Sequence, residues 1–479
     1  MKKKNLKKNY VFNLTYQILL LVAQLITTPY LSRVLEPDGV GTVSYAESVI
    51  SYFVLFATLG ITILGQREIS YCQDDRAGRS SVFWDIKSLQ ILTSTAALIV
   101  YLVFSVLQNN HALYLVLGFE ILAVTFDVVW LFQGLEEFGQ IVLRNIIFKL
   151  LSILYIFTFV KTKDDVVKYA FGVAFFMFIS NAALWVRIGR YVDKPDLRSI
   201  RPFRDIRSVI TLFLPTVAIQ IYTVLDKTMI GVITHNAFEN GYYEQAIKVS
   251  KMVLTGVTSL GAVVAPRIGY HFERGETDEV KHYMYNSYRF VWFMGIPLYL
   301  GLAGVAPNFV PWFFGPDYDM VVLLLQILGA LIIIIGLSNV TGIQYMVPTK
   351  RQNLLTVTVT IGACVNFVLN MILIFKFGSL GAAIASVLAE LTVTVSQLVL
   401  VRKELSVWKI VGSSRNYVIA GVPMFAALKT VGVRLTSSIV NTVVMVAVGA
   451  LAYMIGLTVL RDEFFISNMK NIKNKLIHH

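Results

Sequence analysis

Charged side chains inside long apolar stretches are the residues of this sequence best suited to chemistry. Asp226 and Lys227 lie in one such stretch, and Lys248 and Lys251 lie in the next. Because an ionisable group within a bilayer costs at least about 2.5 kcal/mol unless it is paired or meets water, such groups mark functional positions. Asp226 can neutralise only one of the three lysines. The pattern predicts a wet, positively charged cavity that receives an anion, or else lysines that extend to the outer lipid headgroups.

Two arginines and three glutamines extend this polar set. Arg67 and Arg267 each follow an apolar stretch and stand 200 residues apart. We expect them to flank an inward-facing mouth, unless they are ordinary anchors at the inner membrane surface. Gln17, Gln24 and Gln220 lie within apolar stretches, the first two on one helical face. These amides are expected either to line a lumen or to hydrogen-bond between helices.

Oxygen-bearing side chains of the second half indicate a site for a coupling ion. Asp226, Asn366, Asn370 and Glu390 could together hold Na⁺ or carry a proton. Asn366 and Asn370 are four residues apart and so share one helix face. The alternative is that Asp226 simply pairs with Lys251.

Counting outward from two predicted hairpin turns gives two structural ion pairs. Arg33 and Glu47 are seven residues either side of Val40, and Asp127 and Lys149 are about eleven residues either side of 137–138. Each pair would lie at one depth in the membrane and fix the packing of two helices.

No catalytic arrangement emerges from the remaining reactive residues. None of the six histidines is at metal-ligand spacing or beside a candidate nucleophile, and the two cysteines, Cys72 and Cys364, cannot build a disulfide framework. We therefore expect no catalytic residue, no metal and no cofactor other than a coupling Na⁺ or H⁺.

The elements that position these residues must be membrane helices. Of the 479 residues 56% are hydrophobic and only 15% are charged, against roughly 25% charged in soluble proteins. Fourteen apolar stretches are long enough to span a bilayer, which takes about 20 residues each. The alternation typical of a membrane barrel is absent. The predicted fold class is an all-α polytopic membrane protein with about 14 transmembrane helices.

Basic residues are distributed unevenly between the connections. With the amino terminus inside, the cytoplasmic segments hold 30 Lys and Arg residues and the outer loops hold 7. This asymmetry places both termini in the cytoplasm. It also explains the net charge of +13 without nucleic acid.

The halves of the chain repeat weakly. Gly41 and Arg67 correspond to Gly241 and Arg267 at an offset of 200, and a loop rich in basic residues stands between the halves. We predict an amino-terminal lobe of six helices at 1–190, a basic cytoplasmic linker at 191–207, a carboxy-terminal lobe of six helices at 208–403, and two further helices with a basic tail at 404–479. The repeat runs in the same direction in both lobes, so the lobes are pseudo-symmetric about an axis along the membrane normal.

Several segments resemble polysaccharide flippases of the Wzx type. They are Pro29-Tyr30-Leu31-Ser32-Arg33-Val34-Leu35-Glu36-Pro37-Asp38-Gly39-Val40-Gly41, Gly65-Gln66-Arg67-Glu68-Ile69 and Gly378-Ser379-Leu380-Gly381-Ala382-Ala383. The similarity runs along nearly the whole chain and departs at Val40, where an aromatic residue is more usual.

The resemblance implies the fold of the multidrug/oligosaccharidyl-lipid/polysaccharide exporter superfamily, with two lobes around a central cavity. It implies a bacterial cytoplasmic-membrane flippase that moves undecaprenyl-diphosphate-linked oligosaccharides outward by alternating access for capsule, O-antigen or exopolysaccharide assembly. The basic side chains would hold the diphosphate and the amides the sugar hydroxyls. Membrane lipids, a polysaccharide polymerase and chain-length machinery would be its partners.

Three alternatives stay open. A flippase for lipid II or a similar precursor would share these features. A drug or cation antiporter of the same superfamily would need an acidic cavity, whereas this one is net basic. A membrane polymerase or ligase of the same pathway would need a sizeable outer loop, and the longest outer connections have only about twelve residues.

Overall fold

The computed structural model describes the backbone of residues 6–477, and their side chains except those of 6–14, 214–216, 218–219, 221–222, 262 and 471–477. Within that range the chain is built of helices and contains no β-strand. The predicted all-α fold class is thereby confirmed.

The structure divides into two compact units, one ending at Gly231 and the other beginning at Val232. The helices up to the boundary are α1 Leu6–Thr58, α2 Ile61–Tyr71, α3 Arg76–Val106, α4 His111–Thr125, α5 Val129–Gly134, α6 Phe138–Phe159, α7 Val166–Ala183, α8 Trp185–Ile188 and α9 Ile206–Thr234. The helices after it are α10 Ala237–Thr258, α11 Gly261–Glu273, α12 Thr277–Phe313, α13 Asp319–Leu328, α14 Leu331–Asn339, α15 Gln352–Val401, α16 Val407–Gly412, α17 Arg415–Arg434, α18 Ile439–Val459 and α19 Glu463–Ile477.

Two of these helices are too long to be single membrane crossings. Helix α1 has 53 residues and breaks at Glu36, whose φ is 58°, and α15 has 50 residues and breaks at Gly378, whose φ is 55°. Arg351 precedes α15 and Glu404 follows it, yet Arg351 Nη1 lies 2.6 Å from Glu404 Oε1. Because the two ends meet, α15 is a helical hairpin and provides two antiparallel segments.

The described residues contain ten segments long and apolar enough to cross a membrane, or eleven if the bent pair α10–α11 is one span. The chain is a multi-pass membrane protein. The hairpin in α15 is one of those ten segments, so crossings outnumber segments, and the count of fourteen stays a prediction.

The unit boundary lies inside α9, later in the chain than the predicted linker at 191–207. That basic loop packs on α3 of the first unit. Arg76 Nε lies 2.9 Å from Asp193 Oδ1, and Asp85 Oδ1 accepts a hydrogen bond from the Arg201 backbone N at 2.6 Å. The four-part division of the chain into lobes, linker and tail remains a prediction.

Large buried side chains hold each unit together. In the first unit Trp130 of α5 packs with Phe83 of α3, their ring centroids 5.3 Å apart. A Cβ at Gly65 would lie 2.5 Å from the Trp130 ring, so only glycine lets α2 approach α5 this closely. In the second unit α17 and α18 pack on each other and on α12, around Tyr417 and Met445.

Candidate functional site

Helices α4 and α5 are separated by a break whose backbone carbonyls accept hydrogen bonds from side chains. Helix α4 ends at Thr125 and α5 begins at Val129. At membrane depth, carbonyls freed by such a break need internal partners. Five consecutive carbonyls accept side-chain hydrogen bonds here: Ala123 from Asn181 at 2.8 Å, Val124 from Gln90 at 2.8 Å, Thr125 from Lys87 at 2.7 Å, Phe126 from Trp185 at 2.9 Å and Asp127 from Lys87 at 2.9 Å.

Lys87 is the centre of this α4–α5 break. Its side chain is fully buried, and its ammonium also donates to Gln90 Oε1 at 3.1 Å and lies 5.1 Å from the centroid of the Trp185 ring. The carboxy-terminal end of a helix carries partial negative charge, which a fixed ammonium complements. Across the break, Asp127 Oδ1 accepts a hydrogen bond at 2.8 Å from the backbone N of Val129, the first residue of α5.

The predicted Asp127–Lys149 pair remains untested, and the structure gives Asp127 two other basic neighbours. Its carboxylate interacts electrostatically with Lys87 and Arg144. Lys149 lines a cavity together with Arg144.

That cavity, of about 290 Å³, lies between α1, α6 and α7, and we call it the Arg144 cavity. Arg144 Nη1 donates to Ser180 O at 3.0 Å and to Asn181 Oδ1 at 3.2 Å, and its Nε donates to Asn145 Oδ1 at 3.1 Å. The polar side chains along its wall are Tyr16, Arg144, Asn145, Lys149, Ser152, Ser180 and Asn181.

The two predicted mouth arginines have different surroundings. Arg67 is exposed and pairs with Glu68, Nη2 to Oε1 at 2.8 Å, beside a cavity of about 510 Å³ that Gln66 and Gln133 help to line. Arg267 is exposed on α11 and donates to the Tyr283 hydroxyl at 3.2 Å. Neither contact decides between a mouth and a membrane anchor.

The predicted cationic cluster is divided between the units. Asp226, Lys227 and Gln220 are half-buried on α9 in the first unit. Lys248 and Lys251 are on α10 in the second, where Lys248 Nζ lies 3.3 Å from Glu244 Oε1. Glu244 is a carboxylate partner that the sequence analysis did not include. The two other lumen amides, Gln17 and Gln24, are exposed on α1.

Part of the predicted coupling-ion set is contiguous. Asn366 and Asn370 are buried on α15, and Asn370 Nδ2 donates to Asn366 Oδ1 at 3.1 Å. Glu390 is half-buried beyond the break in the same helix, whereas Asp226 belongs to the first unit. Among the described residues no group of three or more His, Cys, Asp or Glu side chains could hold a metal ion.

The other predicted ion pair straddles the break in α1. Arg33 precedes Glu36 and is exposed, and Glu47 follows it and is half-buried. Their mutual contact stays a prediction.

Lys87 and Arg144 are not among the predicted site residues. Lys87 could have been found, because it is a lysine inside an apolar stretch. Arg144 begins a polar face that continues through Asn145 and Lys149 on α6. A helical projection of 138–159 would have shown that face.

Comparisons with known proteins agree with this architecture. Over 408 residues the chain is 25% identical to a protein of Escherichia coli K12 named "Putative O-antigen transporter", covering 84% of this chain and 97% of that one. The fold is similar to that of the lipid II flippase MurJ in an inward closed conformation, with a TM-score of 0.74, 14% identity and coverage of 95% and 99%. It is also similar to an inward-facing multidrug resistance MATE family transporter of the MOP superfamily, with a TM-score of 0.64, 11% identity and coverage of 82% and 95%.

The two structural likenesses concern the fold alone, and they agree with the fold that the sequence motifs imply. The family is established separately, because the model of the family described as "Polysaccharide biosynthesis protein" matches residues 6–272, more than half of the chain. This protein is therefore a member of the polysaccharide biosynthesis protein family.

Proposed function

We propose that the protein is a transporter, not an enzyme, that flips undecaprenyl-diphosphate-linked oligosaccharide repeat units from the cytoplasmic to the outer leaflet by alternating access. The observation that carries the proposal is the similarity, over 84% of this chain, to the E. coli protein named "Putative O-antigen transporter". The headgroup of such a lipid bears a diphosphate and several sugars, which cannot cross hydrocarbon unaided.

Basic side chains on membrane helices supply the complementary charge. Lys227, Lys248 and Lys251 would bind the diphosphate towards the outside, and Arg67 and Arg267 would bind it towards the inside. Hydrogen bonds between charged partners are roughly twice as strong as neutral ones. The glutamines Gln17, Gln24 and Gln220 would contact sugar hydroxyls.

An apolar groove in the second unit suits the prenyl chain. It has a volume of about 400 Å³ and lies between α10, α12, α17 and α18. Its wall is almost entirely hydrocarbon, with Leu298, Phe309, Met424 and Val446 among its residues. A prenyl tail could remain against such a surface while the headgroup moves.

An ion gradient would drive the cycle through Asp226, Asn366, Asn370 and Glu390. The buried Asn366–Asn370 pair supports this assignment because amide oxygens are among the oxygen ligands that hard cations take in proteins. A proton carried by Asp226 or Glu390 is the other form of the same proposal. Asp226→Asn should then change the dependence of transport on the Na⁺ or H⁺ gradient.

The proposed setting is the cytoplasmic membrane of a bacterium, with both termini inside. A polysaccharide polymerase and chain-length machinery would take the product at the outer surface. Cysteine at His235 or Lys376 should react with an impermeant thiol reagent from outside, whereas cysteine at Arg201 should not.

Deletion of the gene in its own organism tests the function. Lipid-linked oligosaccharide should accumulate in the inner leaflet, surface polysaccharide should disappear, and the wild-type chain should restore it. Arrest of cell-wall synthesis would instead identify a lipid II flippase, and loss of drug export alone would identify an antiporter. Either of those results would contradict the proposal.

A further inference from the structure

The Arg144 cavity has the features of a ligand site, and none of its lining residues was assigned above to the substrate or to a coupling ion. It runs along α6 from Arg144 to Ser152 and against the second half of α7, so it extends from near the predicted cytoplasmic end of the first unit to the middle of these helices. Two basic side chains, Arg144 and Lys149, line it, and its described wall contains no Asp or Glu. Because charge within membrane helices is costly, this concentration of positive charge needs an explanation.

Extension of these cations to lipid headgroups does not explain it. The lipid-facing stripe of α6 consists of exposed apolar residues at helical spacing: Leu143, Ile147, Leu150 and Leu154. At 3.6 residues per turn, Arg144, Asn145, Lys149 and Ser152 lie on the other side of the helix. They face the cavity, as its lining residues show.

Arg144 is held in position by uncharged groups. The acceptors of its hydrogen bonds are Ser180 O, Asn181 Oδ1 and Asn145 Oδ1. Asp127 interacts with it electrostatically but also with Lys87. Asp127 is thus shared between two cations, Lys87 and Arg144. These three side chains together are net positive, even without Lys149.

The chemistry of the lining selects a phosphate. All three nitrogens of the Arg144 guanidinium already donate to Asn145, Ser180 or Asn181. Arg144 therefore offers a phosphate its positive charge and the remaining N–H on Nη2, and the Lys149 ammonium adds a second point charge. The phenol of Tyr16 and the amides can donate further hydrogen bonds. A volume of about 290 Å³ admits a phosphate or diphosphate with some water.

We propose that the Arg144 cavity binds the phosphate end of a lipid headgroup, with Arg144 and Lys149 as its direct ligands. The lipid that carries this phosphate is either a prenyl diphosphate or an anionic phospholipid. A prenyl diphosphate would be the substrate, captured before it enters the translocation path, so this choice of lipid rests on the proposed function. Binding of phosphate to the cavity does not depend on it.

Calorimetry on the full chain in phosphatidylcholine nanodiscs tests the site, with farnesyl diphosphate as the probe. Arg144→Gln should weaken binding about tenfold, the loss of one charge-assisted contact. Lys149→Gln should weaken it several-fold, and Arg144→Lys should retain part of it. The matched control is Lys168→Gln on α7, an exposed lysine paired with Asp165 outside the cavity, which should bind like the wild type.

A second set of nanodiscs containing phosphatidylglycerol identifies which lipid carries the bound phosphate. Competition with the probe would identify the phospholipid, and no competition would identify the prenyl diphosphate. Both results support the site. Equal affinity in the wild type and in folded Arg144→Gln and Lys149→Gln variants would overturn it. If Arg144→Gln elutes as aggregate, Lys149→Gln alone decides.

Surface polysaccharide in the deletion strain separates this inference from the proposed function. Suppose that a variant loses probe binding but the wild-type chain fails to restore polysaccharide. That result would refute the proposed function and support the phosphate site. A wild-type chain that restores polysaccharide, with probe binding insensitive to both substitutions, would refute the site and keep the function.

Discussion

Two helix breaks, one in each unit, solve the same problem with opposite charges. At the α4–α5 break the carbonyls of Thr125 and Asp127, at the carboxy-terminal end of α4, accept hydrogen bonds from the buried ammonium of Lys87. At the α15 break the backbone N of Ser379, which starts the second half of the hairpin, donates to Glu239 Oε2 at 2.7 Å. A cation at a carboxy-terminal end and an anion at an amino-terminal end both complement the helix dipole.

The two breaks differ in the residue that maintains each of them. Lys87 is fully buried and makes three hydrogen bonds to neutral oxygens, whereas Glu239 is half-buried. The α15 break depends instead on the backbone of Gly378, which has a φ of 55° and a ψ of −132°. Residues other than glycine rarely adopt this conformation. The α4–α5 break is therefore maintained by the Lys87 side chain, and the α15 break by a glycine, which has no side chain.

Replacement of Lys87 should have the largest effect. Lys87→Met keeps the length of the side chain but leaves the Thr125 and Asp127 carbonyls without this donor, at a cost of about 3 kcal/mol. Folded yield in detergent and the thermal midpoint should both fall sharply, with partial recovery in Lys87→Arg. Lys168→Met is the matched exposed control. A Lys87→Met midpoint equal to that of the control would refute the role given to this lysine.

A smaller loss is expected at the other break. Gly378→Ala introduces a Cβ at a strained φ, which costs about 1–3 kcal/mol, and that Cβ would lie 2.5 Å from Glu239 Oε2. Thermal unfolding of Gly378→Ala should show this loss. Gly412→Ala, in a helical turn with open space around it, should unfold like the wild type. An unchanged midpoint in Gly378→Ala would mean that the hairpin does not need this glycine.

The smallest predicted effect concerns the ends of the α15 hairpin and appears only with pH. Burial alone would raise the pKa of Glu404, but hydrogen bonds from Tyr345 and Arg351 outweigh it and hold the pKa below its ordinary value of 4.5. A carboxyl with a lowered pKa in the folded state stabilises that state above its unfolded pKa and loses the contribution as pH falls through the folded value. The stability advantage of the wild type over Glu404→Gln should thus be constant near neutrality and shrink below about pH 4.5. A difference that does not vary with pH would contradict the pairing.

Features set by local sequence could be predicted. The long apolar stretches predict the membrane helices, and Gly378-Ser379-Leu380-Gly381 contains the glycine at which α15 reverses. The resemblance also identifies the superfamily fold correctly. These features depend on residues close together in the chain, where length, hydropathy and glycine content decide the structure.

Contacts between distant helices could not be predicted in the same way. Counting from hairpin turns pairs only neighbouring helices, so it could not show that Lys87 of α3 reaches carbonyls beyond α4. It could not show that Trp185 and Asn181 complete that site from α8 and α7. It also could not show that the charged loop after α8 is bound to α3 through Asp193 and Asp85.

Flipping of a lipid-linked oligosaccharide by the purified chain in proteoliposomes is the decisive measurement for the proposed function. We expect the wild type to move the headgroup between leaflets. The triple variant Lys227→Gln, Lys248→Gln and Lys251→Gln should abolish this movement while the protein still inserts and folds. The single Lys→Arg variants should keep part of the activity. Full flipping by the triple variant would contradict the claim that these lysines carry the diphosphate and would leave them as headgroup anchors.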